Sequence, residues 1–193
     1  MSSAAHPIAA EEIRPLLREE YDRLVELGAF QDEKLELLHG QLVRMTPQGP
    51  QHFSSIYQLG QLLAAALGAR AFVRVQGPIA LGVDSEPEPD VAVVLPSADR
   101  YAKSHPTGAQ TLLVIEVAAT SARRDREVKG GLYAAAGVPE FWLVDLKQRC
   151  VEVHTVPLGA QYTHVELIRS GGALRPQAFG EVTLRVDDVL PPL

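Results

Sequence analysis

Along the chain, apolar positions recur at two different periods. Leu17, Tyr21, Leu24 and Leu27 stand at helical spacing among charges, with Gly28 as a stop and Pro15 against an earlier start. Phe53, Ile56, Leu59, Leu63 and Leu67 trace a second helical stripe over His52 to Leu67, ended by Gly68. Between them, Lys34 to Leu38 and Gln41 to Met45 flank His39-Gly40, which predicts a hairpin, and Thr46 to Pro50 reads as a loop. Strand-like pieces follow at Ala71 to Gln76, Ile79 to Leu81, Asp90 to Leu95 and Thr111 to Val117. The last two are almost continuously apolar, as suits strands buried on both faces. A helix is expected from about Arg124 to Ala136, stopped at Gly137. A hairpin of Glu140 to Leu146 and Arg149 to Val156 comes next, then weaker strand signals at Tyr162 to Ile168 and Glu181 to Val186. Hairpins combined with a strand, helix, strand unit predict an α+β fold, a mixed sheet flanked by helices.

The length of 193 residues fits one domain over 1–193, with residues 1–16 expected as a flexible amino-terminal segment. No apolar run approaches the roughly 20 residues of a membrane span. Met1 to Ala10 shows no basic segment followed by an apolar stretch, so no export signal is visible. Cys150 is the single cysteine, which excludes an internal disulfide framework and a cysteine-based zinc site. Together these features predict a cytoplasmic protein without membrane contact. With 18 basic and 24 acidic residues, the net charge is −6, the wrong sign for coating a polyanion by bulk electrostatics. A nucleic-acid role has to rest on a local site, helped by basic residues such as Arg123, Arg124 and Arg126.

Glu116 is the most informative residue, because it interrupts Leu112-Leu113-Val114-Ile115-Glu116-Val117. A carboxylate in a central strand is expensive unless a cation, metal or donor answers it; otherwise it marks an exposed strand end. Asp90 opens another buried-looking strand in Glu88-Pro89-Asp90-Val91-Ala92-Val93-Val94. Alone it reads as a turn aspartate. If the two strands are neighbours, both carboxylates converge on one divalent ion. Lys129 lies on the following helix, where it either pairs with Asp125 at i, i+4 on the surface or packs beside the carboxylates to orient a water. Glu36 alternates with leucines and reads equally as a solvated hairpin residue or a further acidic ligand, and Gln76 as a strand end or a polar supporter.

An ordered set of segments resembles the Uma-two family of restriction-endonuclease-like proteins, a branch of the PD-(D/E)XK nuclease superfamily. Its carriers are Glu36-Leu37-Leu38-His39-Gly40, Gly49-Pro50-Gln51-His52, Ser85 to Val94, Leu113 to Val117, Asp125-Arg126-Glu127-Val128-Lys129, Tyr133, and Gly137 to Asp145. The resemblance implies a restriction-endonuclease-like core and Mg²⁺-dependent phosphodiester cleavage in DNA, with Mn²⁺ as a substitute. On it, Asp90 matches the motif aspartate and Glu116 the motif acid, the two metal ligands. Ala118 stands where a lysine would complete the simplest motif, which makes Lys129 the candidate lysine. Glu36 and His52 match recurrent positions near the site, with Asp125 and Gln76 in supporting roles. The expected activity is a metal-dependent DNA endonuclease; the alternative is a catalytically inactive nuclease-fold module that binds nucleic acid or a protein. The apolar strands and the late hairpin, Phe141 to Val156, leave room for a homodimer.

Overall fold

The computed structural model describes residues 13–45, 47–119 and 121–192. Its elements are α1 (Arg18–Glu26), β1 (Leu35–Leu38), β2 (Gln41–Arg44), α2 (Pro50–Leu67), β3 (Phe72–Val75), β4 (Val91–Val94) and β5 (Thr111–Ala118). A helix over 122–135, here α3, leads to β6 (Glu140–Asp145), β7 (Cys150–Leu158) and β8 (Gln161–Arg169). β9 (Ala173–Leu174), β10 (Leu184–Arg185) and α4 (Val186–Val189) close the chain. Strands β3 to β8 form one sheet in sequence order, antiparallel throughout except for the parallel β5–β6 pair that α3 connects. The architecture is α+β with a mixed sheet. Among the described residues, no helix is long and apolar enough to cross a membrane.

The sheet is covered on both faces, and strand alternation decides what each face receives. Leu113, Ile115 and Val117 of β5 join Val91, Val93, Trp142 and Val144 against the stripe Ile56, Leu59, Leu63 and Leu67 of α2, with Val186 and Val189 of α4. Val114 and Ala118 join Ala92, Val94, Phe141 and Leu143 against Leu132 and Tyr133 of α3. Burial on both faces is why β4 to β6 read as nearly continuous apolar runs. The β1–β2 hairpin turns at His39 and Gly40, both at positive φ, as a two-residue hairpin loop requires. At Gly40 a Cβ would meet Pro15 at 2.2 Å, so the lead-in to α1 rests on this turn.

Several boundaries differ from expectation. α2 begins at Pro50, two residues before His52, because proline at the first helical turn loses no hydrogen bond there. Ile79 to Leu81 is no strand: held between Pro78 and Gly82, it makes only isolated bridges from Ala80 to Thr107 and from Leu81 to Ser85. Of Glu181 to Val186, only Leu184–Arg185 pairs, with β9; the chain then turns into α4, whose first turn carries Asp187 and Asp188. The long β8 exceeds its weak signal. Most of the expected flexible segment 1–16 and Thr46 of the expected loop lie outside the described residues.

Gly108 fastens the start of β5 to the end of α3. A Cβ there would sit 2.4 Å from the Ala136 carbonyl oxygen, backbone that has no room to move. Gly108→Ala is expected to lower stability by about 1–3 kcal/mol in urea denaturation with an unchanged slope. Gly180→Ala, where nothing lies within 4 Å, is expected to change it little.

Candidate functional site

Register builds the site. β4 and β5 pair with Val91 opposite Ile115, so continuing the antiparallel register by one step sets Asp90 opposite Glu116. Glu116 shares the face of Val114 and Ala118, toward α3, while its neighbours Ile115 and Val117 face α2. Asp90 Oδ2 accepts the Val117 backbone N–H at 2.8 Å and lies 3.3 Å from His52 Nε2 on α2. The two carboxylates thus meet at one sheet end, both lining a small cavity of about 50 Å³ with Glu36, Glu88, Asp125 and Lys129.

The helix supplies the cation. In an unbroken α-helix the eight residues from Asp125 to Tyr133 would overshoot two turns by about 80°. A π-helical segment at Asp125–Lys129, between α-helical pieces, widens the turn and keeps Asp125, Lys129 and Tyr133 inward, all three buried. Lys129 Nζ donates to Glu116 Oε1 at 2.9 Å and contacts Glu36 Oε2 at 3.0 Å. The Tyr133 hydroxyl also donates to Glu116 Oε1. Glu36 comes from β1 and is buried, and its Oε2 also accepts the Glu88 backbone N–H at 3.3 Å.

Burial is the main reason that the Glu116 carboxyl is pushed up, to about 8; Lys129 opposes the shift, while the charges of Asp90, Asp125 and Glu36 add to it. Burial works against the Lys129 ammonium, yet Glu116 and Glu36 outweigh it and hold the group charged well above lysine's usual range. Burial likewise raises Asp125 and Glu88. The cavity therefore holds more carboxylate than its one buried ammonium balances, and the surplus is met by protons or by an added cation.

Among the described residues, no group of three His, Cys, Asp or Glu side chains is spaced to encircle a metal ion. Two of the donors on offer are Glu116 Oε2 and Asp90 Oδ1, which accept no hydrogen bond among the described residues, since Lys129, Tyr133, Val117 and His52 all address the other oxygens. One or two carboxylates, completed by water and substrate phosphate, are the usual protein contribution to Mg²⁺. This donor set fits such an ion.

The structure gathers Asp90, Glu116, Lys129, Glu36, His52 and Asp125 around one cavity. Glu36 is buried rather than solvated, and Lys129 bonds Glu116 and Glu36 instead of forming a surface pair with Asp125. Asp125 accepts the Ser121 hydroxyl. Gln76 stands directly after the end of β3, as its strand-end alternative has it: at φ 50 it donates its backbone N–H to the Asp90 carbonyl, and its side-chain Nε2 is buried without a hydrogen-bond partner among the described residues. Its link to the site is through the main chain. Arg126 is spent on Glu152, at 2.8 Å, and Arg123 on Glu127, at 3.0 Å; of the three arginines only Arg124 lines the cavity. Tyr133, in the sequence only a carrier of the family resemblance, joins the site through Glu116, and its place one helical turn after Lys129 is the signal for it. β6 is fully buried, so the late hairpin exposes no apolar surface there; exposure is at Val156 and Leu158 of β7 and Val165 and Leu167 of β8.

Removing the ammonium leaves Glu36 and Glu116 facing each other without a cation. Lys129→Met is expected to destabilise by about 3–5 kcal/mol, read as a lower urea midpoint. Adding Glu116→Gln to it is expected to recover part of that loss.

A family model for Uma2, described as "Putative restriction endonuclease", matches residues 18–187. No curated protein matches the chain. Among solved structures, the fold is similar to a crystal structure of a "putative nuclease belonging to DUF820" from Anabaena variabilis ATCC 29413. The TM-score is 0.73 at 17% identity, over 91% of this chain and 97% of that one. At that identity the likeness establishes the fold alone. The family match runs from the first residue of α1 into α4 and takes in every residue of the carboxylate cavity, and the chain therefore belongs to the Uma2 family.

Proposed function

We propose that the protein is a divalent-cation-dependent DNA endonuclease that hydrolyses phosphodiester bonds at the Asp90–Glu116 site. The observation that carries this reading is the buried Lys129 ammonium, hydrogen-bonded to Glu116 while Asp90 stands on the neighbouring strand. The family's description and that of the similar structure agree with it.

Asp90 and Glu116, each through its uncommitted oxygen, are the residues that would hold Mg²⁺ or Mn²⁺. A cation bound there supplies Lewis acidity to a phosphate oxygen and lowers the pKa of its bound water. Lys129, fixed by Glu116 and Glu36, is a charged donor held rigidly at this carboxylate, suited to orienting the attacking water and offsetting charge that develops on phosphorus oxygens. His52 steadies Asp90 from the α2 side, where burial opposes its protonation and the Asp90 hydrogen bond and charge win, raising the imidazole above its usual range. Arg124 lines the cavity with its Nε 3.9 Å from Asp125 Oδ1 and without a hydrogen bond among the described residues, which places a guanidinium beside the position a phosphate would take.

A second reading, a nuclease fold used only for binding, draws on the full engagement of Lys129 by two carboxylates. Supercoiled plasmid separates the two. With Mg²⁺ or Mn²⁺ the wild type is expected to nick and linearise it, EDTA to stop the reaction, and Asp90→Asn, Glu116→Gln and Lys129→Ala to lose about 10²-fold or more in rate. Circular dichroism checks that each variant is folded. Equal nicking by wild type and folded variants would assign the activity to a contaminant, and plasmid binding without nicking would favour the second reading.

A further inference from the structure

The six-stranded sheet ends on β3 at one side and on β8 at the other, and the two edges are built differently. β3 has four residues and is followed by Gln76 at φ 50 and by Gly77-Pro78, which turn the chain out of its extended path and remove a donor. β8 has nine residues, Gln161–Arg169, with no proline and no lysine among them. Short, interrupted strands protect a sheet edge from pairing with another chain, whereas a long uninterrupted one is a template for it. Alternate residues of β8 direct their N–H and C=O groups away from β7, and over Gln161 to Ile168 these groups meet no backbone partner among the described residues.

The side chains of β8 are as open as its edge. Thr163 to Leu167 are all exposed, and because successive residues point to opposite faces, the middle of the strand is bare on both. Val165 and Leu167, on one of those faces, are 51% and 47% exposed. A bare edge carrying apolar side chains is an aggregation site unless a specific partner pairs with it.

The order of residues along β8 fits a second copy of the same strand. When two copies pair antiparallel about a two-fold axis, one residue faces its own copy, and that choice fixes every other pair. An axis at Glu166 opposes two carboxylates, which is destabilising. An axis at His164 opposes two imidazoles and sets Tyr162 against Glu166. An axis at Val165, the middle residue, pairs all nine positions. His164 then faces Glu166 of the second copy, and Glu166 its His164, while Tyr162 faces Ile168 and Gln161 faces Arg169. Val165 and Leu167 of both copies meet on one face as a single apolar patch across the seam. We propose that the protein forms a homodimer in which β8 pairs antiparallel with β8 of a second copy, centred on Val165, so that two six-stranded sheets become one continuous sheet.

Sedimentation velocity of the full chain at about 100 μM is expected to show a dimer. His164→Glu places like charges opposite each other twice and is expected to weaken that dimer about tenfold or more. The exchanged pair, His164→Glu with Glu166→His, restores the complementarity and is expected to recover it to within about threefold. Disulfide formation reads the register. Val165→Cys brings two thiols face to face, at a Cα separation of about 4.5–5.5 Å that a disulfide spans, and mild oxidation is expected to link the copies. Leu167→Cys leaves its thiols about 14 Å apart along the strands and is expected not to link; Cys150, the native cysteine, is buried. All substituted positions are exposed, and circular dichroism checks that each variant keeps the fold. A monomeric wild type overturns the proposal. So do a dimer that His164→Glu leaves unchanged, a ladder of larger assemblies, and cross-linking as efficient at 167 as at 165.

Discussion

The placement of the site depends on one interaction, the Lys129 ammonium shared by the Glu116 and Glu36 carboxylates inside the protein. A carboxylate in the middle of a sheet cannot keep its charge without an equally buried answer. Glu116 receives that answer from α3, at the price of a π-helical turn that departs from the regular helix on either side. The β1–β2 hairpin brings Glu36 to the same ammonium, and the His39–Gly40 turn fixes where the hairpin points. Sheet, helix and hairpin are thereby tied at one charge, and an error in any of the three would leave a buried ion unpaired.

The tie is incomplete, which is what makes the place chemically useful. One ammonium faces Glu116 and Glu36 directly, while Asp90, Asp125 and Glu88 crowd the same cavity. Such a cluster favours protons or an added cation, and two carboxylate oxygens are left uncommitted at its centre. The overall charge of −6 acquires a local meaning here. On the proposed function, the acidity that disfavours bulk attraction of DNA would at this point hold a cation against a phosphate, with Arg124 at the cavity lining as the local opposite charge.

Much of this was legible in the residue pattern, because burial on both faces leaves a strong trace. The apolar runs around Val91 and Leu113 mark two buried strands, their adjacency left conditional by the pattern, and an acid at the head of one and within the other singles out Asp90 and Glu116. Lys129 and Glu36 are legible as candidates, each beside a surface alternative. What separated the alternatives was the π turn and the hairpin's docking, and neither has a sequence signature: a π turn arises from three-dimensional competition among Asp125, Lys129 and Tyr133 for the same inward direction. Short pieces fared worst. Ile79 to Leu81 is as apolar as a strand and just as buried, yet with no room to form a ladder its packing comes from the loops around it. Gln76 was singled out for its amide, whereas its contact with Asp90 is made by its backbone, for which side-chain identity is no guide.

The segment from Ser85 to Asp90 shows how one stretch of irregular chain serves the site. Ser85 caps the hairpin by accepting the His39 backbone N–H at 2.9 Å, Glu86 bonds through its backbone N–H to the Leu37 carbonyl at 2.7 Å, and Glu88 reaches Glu36 the same way. Its main chain is thus pinned to β1 while Glu88 and Asp90 line the carboxylate cavity. Prolines at 87 and 89 suit this use, since they favour extended backbone and remove donors that β1 does not need to meet. A strip of this kind holds Glu88 and Asp90 at the carboxylate cavity against the same hairpin that positions Glu36 on Lys129, so the acids of the cavity and the one ammonium share a common anchor.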